Sequence, residues 1–112
     1  MQKRLQVVPW TTADRMGAND LLIDVRTVKE FYAGHISGSV NIPVDDLRNH
    51  LYEIPKDKKI YIYCQIGLRG YLAQRILLQN GYTEVYNISG GYKLWEACTA
   101  EMKMNSVKIQ AV

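Results

Sequence analysis

A run of β-favouring apolar residues, Ile60 to Tyr63, ends at a cysteine, Cys64, and is followed by Gln65-Ile-Gly-Leu-Arg-Gly70. Beyond it the pattern becomes helical, with Leu72, Ala73, Ile76 and Leu77 recurring on one face. Strand, short glycine-containing loop and helix, in that order, confine the chain to layered α/β architectures. In an open α/β sheet the strand ends and the helix N-termini that follow them form the crevice where ligands bind. Cys64 is therefore expected at the mouth of such a crevice.

A helix N-terminus carries free N–H groups and a partial positive charge. If Gln65, Ile66, Gly67, Leu68, Arg69 and Gly70 curl back over Cys64, their backbone N–H groups form an anion-binding nest facing the sulfur. Gly67 and Gly70 are expected to permit the curl, because glycine accepts backbone angles that other residues resist. Such a nest is expected to favour the thiolate, the form that reacts. Arg69 stands in a first helical turn, where a cation is mildly unfavourable on dipole grounds. That placement suggests attraction to an anion.

The rest of the chain alternates strands with helices. Leu5 to Val8 reads as a strand stopped by Pro9, and Thr11 or Thr12 as the cap of a helix beginning near Ala13. Leu21-Leu-Ile-Asp-Val25 reads as a buried parallel strand. Its carboxylate, Asp24, is expected to be satisfied by nearby backbone N–H groups rather than to act as a catalytic acid. Arg26 and Glu30, four apart, have the spacing of an ion pair that ties the strand-end loop. Gly34-His35-Ile36-Ser37-Gly38-Ser39 is too glycine-rich for a helix or a central strand, so His35 is read as a turn residue and not a general base. Val40 to Pro43 reads as an edge strand, and Asp45 or Asp46 as the cap of a helix from Leu47 to about Ile54. After the loop come a helix from Gly70 to Gln79, stopped at Asn80-Gly81, and a strand from Tyr82 to Ile88. Ser89-Gly90-Gly91 is a second strand-end loop, expected beside the first. Tyr92, Leu94 and Trp95 open a last helix, with Trp95 packing inward. Cys98, on or just after it, has no motif around it and is read as inert rather than as a resolving thiol. Strands alternating with helices imply a parallel α/β sheet covered on both faces, with right-handed crossovers.

Taken together, Ile23-Asp24-Val-Arg26, Glu30-Phe31, Gly34-His35-Ile36-Ser-Gly38-Ser-Val-Asn41-Ile-Pro43, Cys64-Gln-Ile-Gly-Leu-Arg69 and Ser89-Gly90-Gly91 with Trp95 resemble the rhodanese (sulfurtransferase) domain in order and spacing. The match covers roughly residues 5 to 97. The loop variant Cys-Gln-x-Gly-Leu-Arg-Gly-Tyr is most similar to the rhodanese domain at the C-terminus of coenzyme A-disulfide reductase type flavoproteins. The resemblance implies a single domain with a five-stranded parallel sheet and Cys64 on an internal strand. It also implies sulfane-sulfur transfer through a Cys64 persulfide. Asp24, with Arg26 and Glu30, then serves as structural support, and residues 65 to 70 bind substrate. The donor would be thiosulfate, a polysulfide or a low-molecular-weight persulfide, and the acceptor cyanide or a thiol. No metal or organic cofactor is needed. A flavoprotein reductase domain or another sulfur-relay protein is the implied partner, and any flavin or NADH step belongs to it, since no nucleotide fingerprint occurs here. The domain is expected over residues 1–98, leaving 99–112 as a tail whose last part is a linker, an extra strand or disordered.

Two other classes compete. Cysteine phosphatases and arsenate reductases also combine cysteine, N–H cradle and arginine, but with a longer spacer than Gln65 to Leu68. The shorter loop suits one sulfur better than a tetrahedral oxyanion. A non-catalytic interaction module is the other, and it has no need of both Cys64 and Arg69.

Composition adds bounds. With 112 residues the chain is large enough for one core and too small for two. No apolar run approaches a membrane span, and the N-terminus lacks the apolar stretch of a signal peptide. Two cysteines in unlike settings make neither a disulfide framework nor a zinc site, so a cytoplasmic compartment is expected. A net charge of +3 with mixed signs is too weak to argue nucleic-acid binding and is compatible with small anionic substrates.

Overall fold

The computed structural model describes residues 5–110, with side chains to residue 104. Five strands, β1 (Gln6–Val8), β2 (Asp20–Asp24), β3 (Val40–Asn41), β4 (Lys59–Tyr63) and β5 (Val85–Ile88), form one sheet in the order β1-β5-β4-β2-β3. Every pairing is parallel. Three α-helices, α1 (Val28–Ala33), α2 (Leu68–Gln79) and α3 (Gly91–Gln110), and two 3-10 segments, Trp10–Arg15 and Val44–Glu53, connect and cover it. The strand that leads to Cys64 is thus the central one.

Alternation along the strands divides the core. Ile60 and Ile62 of β4 point with Ile23 of β2 into a cluster closed by Leu47, Ala73, Ile76 and Leu77. Tyr63 and Leu22 point the other way, toward Ala13, Ile36 and Ile88, with Tyr92 and Trp95 of α3 packed on them. Burial on both faces is why these strands read as unbroken apolar runs.

Local chemistry shifts several boundaries. Neither Thr11 nor Thr12 caps the first helical segment; it follows Pro9, and Thr12 N donates to Pro9 O at 3.0 Å, the tighter i to i+3 bond of a 3-10 turn. The same holds at Val44–Glu53, where Asp46 N donates to Pro43 O at 2.9 Å and neither Asp45 nor Asp46 makes a side-chain cap. A proline carbonyl serves both starts, and the two aspartates favour the second only through the dipole of its first turn. α2 begins at Leu68, ahead of the expected Gly70. β5 begins at Val85 and not Tyr82, because Tyr82 N closes α2 on Leu77 O while its hydroxyl donates to Leu51 O and Ile54 O at 2.9 and 2.6 Å. β3 is two residues long, ended before Pro43, which cannot donate to a ladder. From residue 99 on, the chain continues the helix begun at Gly91 as far as Gln110, so the strand considered for 106–112 does not form over 106–110. Residues 111 and 112 lie outside the described residues.

Candidate active site

Cys64 follows β4 directly and is 2% exposed, so a reagent must be small enough to enter its loop, or the loop must open. Above it the side chains of Ile66 and Leu68 stand 67% and 74% exposed. Two main-chain contacts orient the loop from below: Tyr92 N donates to Cys64 O at 2.8 Å and Lys93 N to Gln65 O at 3.1 Å. The second strand-end loop therefore does lie beside the first, and the N-terminus of α3 grips it. A planar trans peptide points its N–H opposite to its C=O. With both carbonyls turned to α3, the N–H groups of Gln65 and Ile66 must face the other way.

Among the described residues, no protein acceptor is bonded to any backbone N–H from Gln65 to Gly70. The first to bond is Tyr71 N, which donates to Gly67 O at 3.0 Å. The loop and the first turn of α2 together hold a series of free donors next to the cysteine. Among the described residues no hydrogen bond reaches the sulfur itself.

Two glycines make this packing possible, each for its own reason. Gly91 sits at φ +59°, and a Cβ there would collide with Cys64 O and lie 2.7 Å from Gln65 O. Gly70 does not have the unusual backbone angles expected of it. It is needed for closeness, because a Cβ would strike Asn87 Oδ1 and lie 3.1 Å from Asn87 Cγ. Asn87, from β5, donates through Nδ2 to Gly67 O at 3.2 Å, while its Oδ1 is buried without a partner among the described residues. Sequence reasoning missed Asn87, whose only signal was a polar residue inside an apolar strand.

The expected Arg26–Glu30 pair does not form. Arg26 turns back to Asp24, its Nη2 2.7 Å from Oδ2 and its Nε 3.0 Å from Oδ1. Asp24 is fully buried and Arg26 is 2% exposed. A buried carboxylate needs a partner more than an exposed one does, and backbone alone does not suffice: Asp24 receives one main-chain bond, from Arg26 N at 2.9 Å. Burial works against the charge on Arg26, and the Asp24 carboxylate more than offsets it, so its pKa is raised. The same guanidinium donates to Gly34 O at 2.7 Å and to Gln65 Oε1 at 3.2 Å, and stacks over Tyr92 at 4.3 Å. Arg26 thereby joins β2, the 34–39 turn, the cysteine loop and α3.

Glu30 closes a capping box with Thr27 and takes Arg69 in a two-pronged grip, with Nη1 and Nη2 at 2.6 and 2.9 Å. Chiefly the hydrogen bond from Arg69 lowers the Glu30 carboxyl to about 2. The Glu30 hydrogen bond, with smaller attractions from Cys64 and Asp24, raises Arg69. The cation expected to attract a substrate is thus already held by α1, within electrostatic reach of Cys64.

His35 is exposed, its Nδ1 2.9 Å from Phe31 O and its ring stacked 3.7 Å from Phe31, a turn residue as read. Tyr63 fixes that turn from beneath: its hydroxyl accepts from Ile36 N at 3.1 Å and pairs with Ser39 Oγ at 2.9 Å. Trp95 packs inward and donates to Asp14 Oδ1 at 3.3 Å. Cys98 lies on α3, half-buried and in no disulfide among the described residues. Among the described residues no helix is long and apolar enough to cross a membrane.

A family model described as the rhodanese-like domain matches residues 10–98. In reduced Bacillus anthracis CoADR-RHD, a region similar to this chain superposes with a TM-score of 0.80 at 48% identity, over 87% of this chain and 17% of that one. The Bacillus subtilis protein YqhL is 49% identical over 74 residues, 66% of this chain and 59% of its own. A sulfurtransferase of Allochromatium vinosum is 40% identical over 75 residues, covering 67% of this chain and 70% of its own. The chain thus spans less than two thirds of the first two.

Proposed function

Because the chain belongs to the rhodanese-like domain family, we propose that it transfers sulfane sulfur through a persulfide on Cys64. The free N–H groups from Gln65 to Gly70 beside a buried cysteine at a central strand end carry this reading. In the first step the Cys64 sulfur, as thiolate, attacks the outer sulfur of thiosulfate. The new S–S bond forms as the bond to the sulfite sulfur breaks, and sulfite leaves with the electron pair. Cys64–S–S⁻ remains. In the second step cyanide or a thiolate attacks the terminal sulfur, departs as thiocyanate or a persulfide, and leaves the Cys64 thiolate. This is covalent catalysis in two half-reactions.

The terminal sulfur anion is the group that needs stabilising, and backbone donors fixed in place do so without reorganising, as an oxyanion hole does for oxygen. Residues 65 to 70 supply those donors. Arg69, neutralised in part by Glu30, steadies the loop and adds a positive field toward an anionic donor. Asp24 and Arg26 support the loop from β2. Similarity to CoADR-RHD supports a narrower version, in which a flavoprotein reductase on another domain or chain supplies a persulfide or receives the sulfur.

Intact mass after incubation with thiosulfate tests the reading. The wild-type chain is expected to gain one sulfur and Cys64→Ser none. Equal labelling of both, or labelling at Cys98, overturns it. Hydrolysis of an aryl phosphate without sulfur uptake would move the chain to the phosphatase class.

A further inference from the structure

Between the 3-10 segment Val44–Glu53 and α2 runs a groove of about 400 Å³. Its apolar surface comes from Val44, Leu72 and Ile76, and Arg48 and Arg75 line it with their guanidinium-bearing chains. The two arginines differ from those at the cysteine loop. Arg26 and Arg69 are each bonded to a carboxylate, whereas among the described residues neither Arg48 nor Arg75 forms a salt bridge. Asp45 lines the same groove and pairs with neither. Arg75 has an aromatic neighbour, its guanidinium carbon 5.9 Å from the centre of the Tyr71 ring, and among the described residues no carboxylate neutralises either cation, which leaves both available to an anion. Guanidinium suits this role, since it meets phosphate and carboxylate oxygens two at a time.

The groove is placed along α2 in line with the cysteine loop. Leu68, Leu72 and Arg75 are spaced i, i+4, i+7 and share one helix face. All three are exposed, Leu68 and Leu72 at 74% and 46%. Leu68 is the first residue of α2, immediately past the loop, and Arg75 lies about 10 Å farther along the axis at the usual rise per residue. Leu72, which lines the groove, and Leu68, which stands outside it, thus set two apolar side chains between the loop and the cations. Thiosulfate and cyanide are too short to use it.

We propose that this groove binds the anionic end, phosphate or carboxylate, of a thiol or persulfide substrate whose stem lies over Leu72 and Leu68 with its sulfur at Cys64. The assignment deepens the reading of Cys64 as sulfur carrier and rests on it. It makes Arg48 and Arg75 specificity-determining residues and gives the substrate a length and a charge.

Matched acceptors test it. Cys64 is loaded from thiosulfate, then discharged to pantetheine or 4′-phosphopantetheine, and to glutathione or its diethyl ester. The phosphate pair and the carboxylate pair separate the two sources of charge. In at least one pair the anionic member is expected to show a KM lower by about tenfold, the effect of one charge-assisted contact. The double variant Arg48→Ala with Arg75→Ala is expected to erase that preference, leaving thiosulfate loading, kcat and the KM of the neutral member within about twofold of wild type. No preference in either pair, or a preference that survives the double variant, overturns the proposal. A second arm needs no turnover: Cys64→Ser is titrated with 4′-phosphopantetheine and with glutathione, reading backbone amide NMR shifts. Shifts at Leu72, Arg75 and Ile76 support the groove even if sulfur loading fails. Their absence with both ligands overturns it even if loading succeeds.

Discussion

Replacing Glu30 with glutamine separates charge from shape at the loop's tether. The amide keeps an oxygen for Thr27 N and Oγ1, each 3.1 Å from Glu30 Oε1, and so retains much of the capping box. It does not hold Arg69 as a carboxylate does. In the folded chain the Glu30 carboxyl lies at about 2, against an ordinary 4.5, chiefly through the hydrogen bond from Arg69. At about 1.4 kcal/mol per unit, that depression has a ceiling of about 3 kcal/mol. Both side chains remain 33% exposed, however, and water screens them. Exposed pairs contribute up to about 1 kcal/mol, and the bidentate geometry puts this one near the top of that range. Because the folded pKa lies below the unfolded one, the stabilisation is full above pH 4.5 and is lost as pH falls toward 2. Urea unfolding of wild type and Glu30→Gln is therefore expected to differ by about 1 kcal/mol at neutral pH, with the curves converging as the acid limit is approached. A gap that stays constant over that range would refute the assignment of Arg69 to Glu30, since only the wild-type carboxylate can titrate away.

Three further substitutions probe the loop's supports. Gly91→Ala places a side chain at φ +59° against Cys64 O and Gln65 O, so a loss of about 2 to 4 kcal/mol is expected, together with slowed sulfur loading; loading at the wild-type rate would show that the α3 N-terminus does not position the loop. Asn87→Ala removes a bond to Gly67 O worth about 1 kcal/mol but also an unpartnered buried oxygen. Stability should change by less than about 1 kcal/mol while loading falls, and a large stability loss with intact loading would contradict the positioning role. Asp24→Asn leaves the buried Arg26 guanidinium without its counter-charge, and calorimetry should register a loss of about 3 to 5 kcal/mol; a near-neutral result would mean that Gly34 O and Gln65 Oε1 satisfy Arg26 unaided.

What the sequence determined by itself was whatever local pattern and order along the chain can encode. Apolar runs set off by proline, glycine, asparagine and charged turns located all five strands, and the switch of period after Cys64 located α2 and the loop between them. The motif order already resembled the rhodanese family, a likeness the family match over residues 10–98 turned into membership. Chain order was silent on partners that meet across the sheet. Glu30 lies four residues from Arg26, yet its carboxylate goes to Arg69 and that of Asp24 to Arg26, because burial ranks the two acids differently and burial is a property of the packed core. Gly70 was read as a source of flexibility and proved to be a space left for Asn87. The free donors around Cys64 depend on the N-terminus of α3 holding the carbonyls of Cys64 and Gln65. That contact joins residues far apart in the chain. It exists only once β5 has paired beside β4, which is why tertiary structure alone decided it.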